Sequence, residues 1–125
     1  MPFTIAAFVT RKPEITPAAF QTAYEETHLP ILKEAVGSAY PQSITRHYVK
    51  RAKSDPEGLK PLSFTGSEET FGYDLISYLN FADEPSALEF QKAYAAEQEK
   101  ISLNVAEFAQ LEKFRVIAFQ DAISN

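Results

Sequence analysis

The run Ile5-Ala6-Ala7-Phe8-Val9 is apolar at every position. A strand with one wet face alternates apolar and polar residues, so an unbroken run reads as a strand covered on both sides. Phe114-Arg115-Val116-Ile117-Ala118-Phe119 is a second, nearly apolar run near the other end. Any fold for this chain must bury both faces of these two strands.

The segments between them supply the partners. Thr16-Pro17 reads as an N-cap followed by proline at the first helical position. Phe20, Tyr24, Ile31 and Ala35 then mark a buried stripe, and Gly37 is the expected stop. Pro30 breaks a backbone hydrogen bond within this helix and predicts a kink near residues 26 to 29, at His28. Residues 44–51 are β-branched, aromatic and charged, as in an edge strand. The cluster Arg46, Lys50, Arg51 and Lys53 reads as its solvated side.

Residues 53–71 hold Pro56, Gly58, Pro61 and Gly66 alongside Leu59, Leu62, Phe64 and Phe71, the signature of a long structured loop and a candidate lid. Residues 73–81 form a third strand. Tyr73, Leu75, Ser77, Leu79 and Phe81 share one face, and Asp74, Ile76, Tyr78 and Asn80 the other. Asp83 caps a helix over residues 84–97, where Ala87, Phe90, Tyr94 and Ile101 continue as a stripe. Asn104, with Glu107 three residues on, reads as a second capping signal that divides the C-terminal helical region in two.

The order is therefore β-α-β-β-α-β, a ferredoxin-like α+β fold with a four-stranded antiparallel sheet. Both helices pack on one face of that sheet. The opposite face, apolar in the outer runs, calls for a second copy of the chain.

A length of 125 residues fits one domain over residues 1–125. Net charge is −5, which repels rather than attracts nucleic acid. With no cysteine there is no disulfide, thiolate nucleophile or Cys-ligated metal centre. The start of the chain lacks a signal-peptide pattern and no apolar run approaches the ~20 residues of a membrane span, so a cytoplasmic location away from membranes is expected.

The stretch Phe8-Val9-Thr10-Arg11-Lys12-Pro13-Glu14-Ile15-Thr16-Pro17-Ala18-Ala19-Phe20, followed by His28-Leu29-Pro30, resembles the opening of EthD-like domains of the dimeric α+β barrel superfamily. Tyr73-Asp74 and the stretch from Asn104 to Phe108 fit the same pattern. Gln21 and Tyr24 stand where many members carry histidine or tryptophan. The resemblance implies a homodimer enclosing cavities between its sheets. It also implies relatives among cofactor-free decarboxylases, dehydratases and cyclases of aromatic polyketides. Other dimeric α+β barrels are cofactor-free monooxygenases, haem-handling proteins or proteins without known catalysis.

The chain has two histidines, His28 and His47, the side chains suited to proton transfer near neutral pH. His28 falls at the proline kink and matches the family's helix-terminal histidine, and it equally suits a surface helix end. His47 is taken to face the lumen, as catalytic acid or base. In the opposite register Arg46 and Tyr48 enter the cavity instead. A buried Asp74 needs a partner such as Arg46, His47 or a ligand hydroxyl. Tyr78 and Asn80 could hydrogen-bond a phenol or enol oxygen. No Gly-x-Ser-x-Gly elbow and no His-x-x-x-His pair occurs, so neither a serine triad nor a metal site is expected.

The expected function is a cofactor-independent lyase in which His28 or His47 moves a proton on an aromatic small molecule. Arg46, Tyr48, Asp74, Tyr78 and Asn80 are the candidate substrate contacts. The alternatives are cofactor-free oxidation of an anthrone or phenol, and a non-catalytic dimeric ligand-binding protein.

Overall fold

The computed structural model describes residues 1–66 and 72–124. The first apolar run lies in β1 (Phe3–Val9), an interior strand of the sheet. With β2 (Ser43–Tyr48), β3 (Leu75–Phe81) and β4 (Arg115–Phe119), the spatial order is β2-β3-β1-β4, and every pairing is antiparallel. Of the two apolar runs expected to be covered on both faces, β1 is central beside β3. The second forms β4, an edge strand whose five residues are all exposed in the single chain, opposite the charge-bearing edge β2. This is the ferredoxin-like α+β arrangement.

α1 (Pro17–Ala23) begins as its sequence requires, with the Thr16 side chain accepting from the Ala19 N–H at 3.1 Å and Pro17 at the first position. The proline kink takes the form of a π-helical turn over Tyr24–His28, leading into α2 (Leu29–Val36). Pro30 has no N–H to give the carbonyl four residues back, and the backbone widens so that the Leu29 N–H reaches the Tyr24 carbonyl.

That widened turn changes which residues are buried. In a regular helix residues four apart drift by about 40° around the axis. The π turn absorbs the drift, so Phe20, Tyr24, Leu32 and Val36 all reach the core, with His28 between them. Leu32 and Val36 thus take the buried places expected for Ile31 and Ala35, which are half-buried. Gly37, at φ 56°, ends α2.

α3 (Glu84–Ala96) is capped by Asp83, whose Oδ1 accepts from the Ser86 N–H at 2.9 Å. The C-terminal helical region does divide in two, but at Glu97 rather than at Asn104. α4 (Gln98–Val105) contains Asn104 in its last turn, where the side chain turns inward instead of capping a new helix.

β2 stops at Tyr48, short of the expected residue 51, and β3 starts at Leu75 rather than 73. Beyond Tyr48 the chain leaves the sheet as a small hairpin. The Ala52 N–H donates to the Lys60 carbonyl at 2.8 Å and the Leu62 N–H to the Lys50 carbonyl at 2.7 Å. Its turn is organised by the Asp55 carboxylate, which accepts from the N–H groups of Glu57, Leu59 and Lys60. Part of the expected lid, including Phe71, lies outside the described residues.

The helices cover one sheet face, where Val9, Leu75, Leu79 and Phe81 join Phe20, Phe90, Ile101 and Phe108 in the core. The pairing registers lay out the opposite face as three rungs. These are His47-Ile76-Phe8-Arg115, Thr45-Tyr78-Ala6-Ile117 and Ser43-Asn80-Thr4-Phe119. Ile117 and Phe119 remain 49% and 43% exposed.

Candidate functional site

The open face brings together three of the residues expected to act. His47 and Tyr78 meet edge-on, their ring centroids 5.9 Å apart at 83°, and Phe119 continues the row 6.3 Å from Tyr78. A hollow of about 670 Å³ adjoins them, lined by Pro2, Thr4, Tyr78, Phe119 and the segment 120–122. The Asn80 amide is held within its own rung. Its Oδ1 accepts from the Thr4 hydroxyl at 3.0 Å, and its Nδ2 donates to Ser43 Oγ at 3.1 Å. His47 is exposed on this face, so its ring nitrogens are open to a proton donor or acceptor.

Arg46 and Tyr48 lie on the other face, because side chains alternate along β2. They are not neighbours of His47 around one ligand. Both are bound to Glu25, a residue of the π turn. Arg46 Nε and Nη2 donate to its two oxygens at 2.9 and 2.7 Å, and the Tyr48 hydroxyl donates at 2.7 Å. The Arg46 guanidinium, aided by Tyr48, holds Glu25 below the usual carboxylate range. Burial first, and then Glu25, push Tyr48 well up.

Deeper on the same side, burial raises Tyr24 to about 12, with Ser77 pulling the other way. The Ser77 hydroxyl is 0% exposed and completes no hydrogen bond among the described residues.

His28 is enclosed in the helix layer, 4% exposed, rather than at the surface. Its Nδ1 lies 2.9 Å from Asn104 Oδ1, and its ring packs 4.8 Å from that of Tyr24 and 5.6 Å from Phe108. Burial lowers its pKa, opposed by the Asn104 bond. The imidazole is therefore neutral, protonated at Nδ1, with the Nε2 lone pair available. Asn104 also lines an outer groove of about 550 Å³ together with Thr27, Ile31, Lys100, Leu103 and Glu107.

Asp74 is buried and paired, but with neither Arg46 nor His47. It precedes β3, where Oδ2 accepts from the Arg11 N–H at 2.7 Å and Oδ1 from Arg51 Nη2 at 2.6 Å. Its backbone joins Val9 and Val49 at 2.8 and 3.0 Å. Arg51, expected on a solvated strand edge, is instead drawn into this knot by the hairpin.

Glu25, Asn104 and Arg11 were not among the candidate site residues read from the sequence. Asn104 alone left a signal, as a polar residue flanked by the apolar Ile101 and Val105. Among the described residues no cluster of His, Asp and Glu is placed to hold a metal ion, and no helix is long and apolar enough to cross a membrane.

A four-stranded sheet with helices on one face and a histidine set into the other defines a ferredoxin-like α+β domain. An EthD family protein of Bacillus halodurans shares the fold at 18% identity and a TM-score of 0.56, over 98% of this chain and 100% of that one. An EthD-like protein of Ralstonia eutropha does so at 11% identity and 0.58, over 94% and 87%. A dimeric ferredoxin-like protein of unknown function from Thermobifida fusca does so at 12% and 0.54, over 95% and 90%. No curated protein is similar enough in sequence to count as a relative. The EthD domain matches residues 12–112, and the chain belongs to that family.

Proposed function

We propose that the protein is a homodimeric, cofactor-independent lyase acting on a small aromatic molecule of polyketide type, with His47 as its proton carrier. The observation that carries this reading is the edge-on His47–Tyr78 pair on an open sheet face of mixed apolar and polar residues. A second copy laid across the three rungs would bury Ile117 and Phe119 and leave His47 and Tyr78 in a partly enclosed space. The fold neighbour described as dimeric supports that assembly.

β-Keto and β-hydroxy carbonyl compounds lose CO₂ or water through enol or enolate intermediates. The apolar side chains of the rungs, with a second copy laid over them, hold one conformer and exclude water, and His47 moves the proton that the enol gains or loses. Tyr78 holds the enol oxygen. The test is turnover of a panel of aromatic β-keto acids and β-hydroxy ketones, with and without O₂. The expected result is an O₂-independent rate that falls about 10²-fold or more in His47→Ala. An unchanged rate in that variant would sink the assignment, and a rate that vanishes without O₂ would replace lyase with oxygenase chemistry.

The His28–Asn104 bond favours a second reading. A neutral imidazole of fixed tautomer, with Nε2 as acceptor, is a competent general base for a substrate that passes from the groove beside Asn104 into the enclosure around His28. Activity lost in His28→Gln but retained in His47→Ala selects this reading over the first.

A further inference from the structure

Arg11 and Arg51 converge on a single carboxylate at the His47 end of the sheet. Arg51 Nη2 is 2.6 Å from Asp74 Oδ1, and Arg11 Nε stands 3.5 Å from the same oxygen. Among the described residues two guanidinium groups meet one carboxylate, one unit of positive charge more than it balances, in a chain whose net charge is −5. The Nε atoms of both arginines are buried and complete no hydrogen bond among the described residues. Neither side chain is sealed off, with 12% and 20% of its surface exposed.

Strand register places this surplus beside the open face. The Asp74 carbonyl accepts from the Val49 N–H, just past the end of β2 and two residues beyond His47, and Asp74 lies two residues before Ile76, the cross-strand partner of His47. Two residues of strand span roughly 7 Å, about the length of an aromatic ring with one substituent. Tyr73 packs on Phe8 of the His47 rung with ring centroids 5.3 Å apart, so the apolar floor runs on toward Asp74. Arg115 closes the far end of that rung.

We infer that the ligand of the open face is an aromatic carboxylate, with its ring on Phe8 and Ile76 and its acid group toward Arg11 and Arg51. This rests on the open-face reading above and narrows it. A guanidinium pair stabilises a carboxylate's charge, and decarboxylation removes that charge from the carboxylate as CO₂ leaves. Arginines at the acid group therefore oppose its loss. The acid held here is one the reaction keeps, which favours loss of water or ring closure elsewhere in the molecule over loss of this CO₂.

The test uses salicylate and its neutral isostere salicylamide as probes, with affinity and site read together by NMR titration of the full-length protein. Salicylate is expected to bind at least tenfold more tightly and to shift the His47 ring signals and the Arg51 side-chain signals. Arg51→Gln should bring the two probes to parity. Asp74→Asn keeps a carbonyl for the Arg11 N–H and frees a unit of positive charge, so it should widen the preference even though it loosens the fold. A purely structural knot predicts the reverse, with preference falling in Asp74→Asn as stability falls. Equal affinity of both probes, with His47 shifted, would overturn the anion assignment and leave the open-face reading standing. Salicylate shifting Arg51 but not His47 would overturn the placement of the ligand and count against the open-face reading as well.

Discussion

His28 donates from Nδ1 to Asn104 Oδ1 at 2.9 Å, across 76 residues of chain, and both side chains are buried. This bond ties the π turn to the last turn of α4. It also sets the imidazole's tautomer, leaving Nε2 as the ring's acceptor.

Removing the acceptor exposes its worth. Asn104→Ala leaves a buried Nδ1–H without a partner, at a cost of about 1–3 kcal/mol. Urea denaturation should show a lower midpoint at unchanged slope, and Asn104→Asp should recover more of the midpoint than Ala does. An unfolding free energy within about 10–15% of wild type, the precision of the extrapolation, would mean that the bond contributes little.

The same histidine makes stability depend on pH. Its folded-state pKa lies below the ordinary 6.5, chiefly through burial, so the unfolded chain takes up a proton at a pH where the folded chain does not. Stability is full above 6.5 and is lost as pH falls from there toward the folded-state value. Glu25, lowered by Arg46, adds a separate loss below its ordinary 4.5. Denaturation midpoints between pH 7.5 and 5.5, a window of about two units around the free histidine value, should fall in wild type and stay nearly flat in His28→Gln.

Ser77 predicts the opposite sign from Asn104. Its hydroxyl is fully buried with the Tyr24 side chain as its polar neighbour, and it completes no well-aligned hydrogen bond among the described residues, so folding desolvates it for little return. Ser77→Ala should be neutral or stabilising by up to about 1 kcal/mol, with the thermal midpoint unchanged or raised. A drop of more than about 1 kcal/mol would mean that the hydroxyl has a partner in solution.

The dimer proposal turns on the middle and outer rungs. Ile117 is 49% exposed on the open face, so Ile117→Glu costs the isolated protomer little, while placing a carboxylate in the proposed interface. Sedimentation should give a dimer for wild type and a monomer for the variant, with far-UV spectra superimposed. A wild-type monomer at micromolar concentration would overturn the assembly.

Ile5 to Val9, Thr16-Pro17, Pro30, Gly37 and Asp83 carried most of the fold in plain view. Each acts on its own stretch of backbone, by burial, by capping, by a missing donor or by a permitted φ. The alternation within β3 likewise set Ser77 apart from Tyr78 before any partner was known. What the chain could not show along its length was where a polar side chain finds its counterpart. Asn104 looked like a cap and is the partner of His28. Asp74 was matched with Arg46, His47 or a ligand hydroxyl and is bound by Arg11 and Arg51. Arg46 and Tyr48 were the candidates for the cavity in the register opposite to His47, and they lie across the sheet from it, held by Glu25.

Sequence alone thus determined the strands, the helices and their order, because apolar periodicity and helix ends are local properties of the backbone. The tertiary structure alone decided which charged and hydrogen-bonding groups share a site. Such pairs join residues far apart in the chain, and a single π turn or hairpin shifts which of them meet.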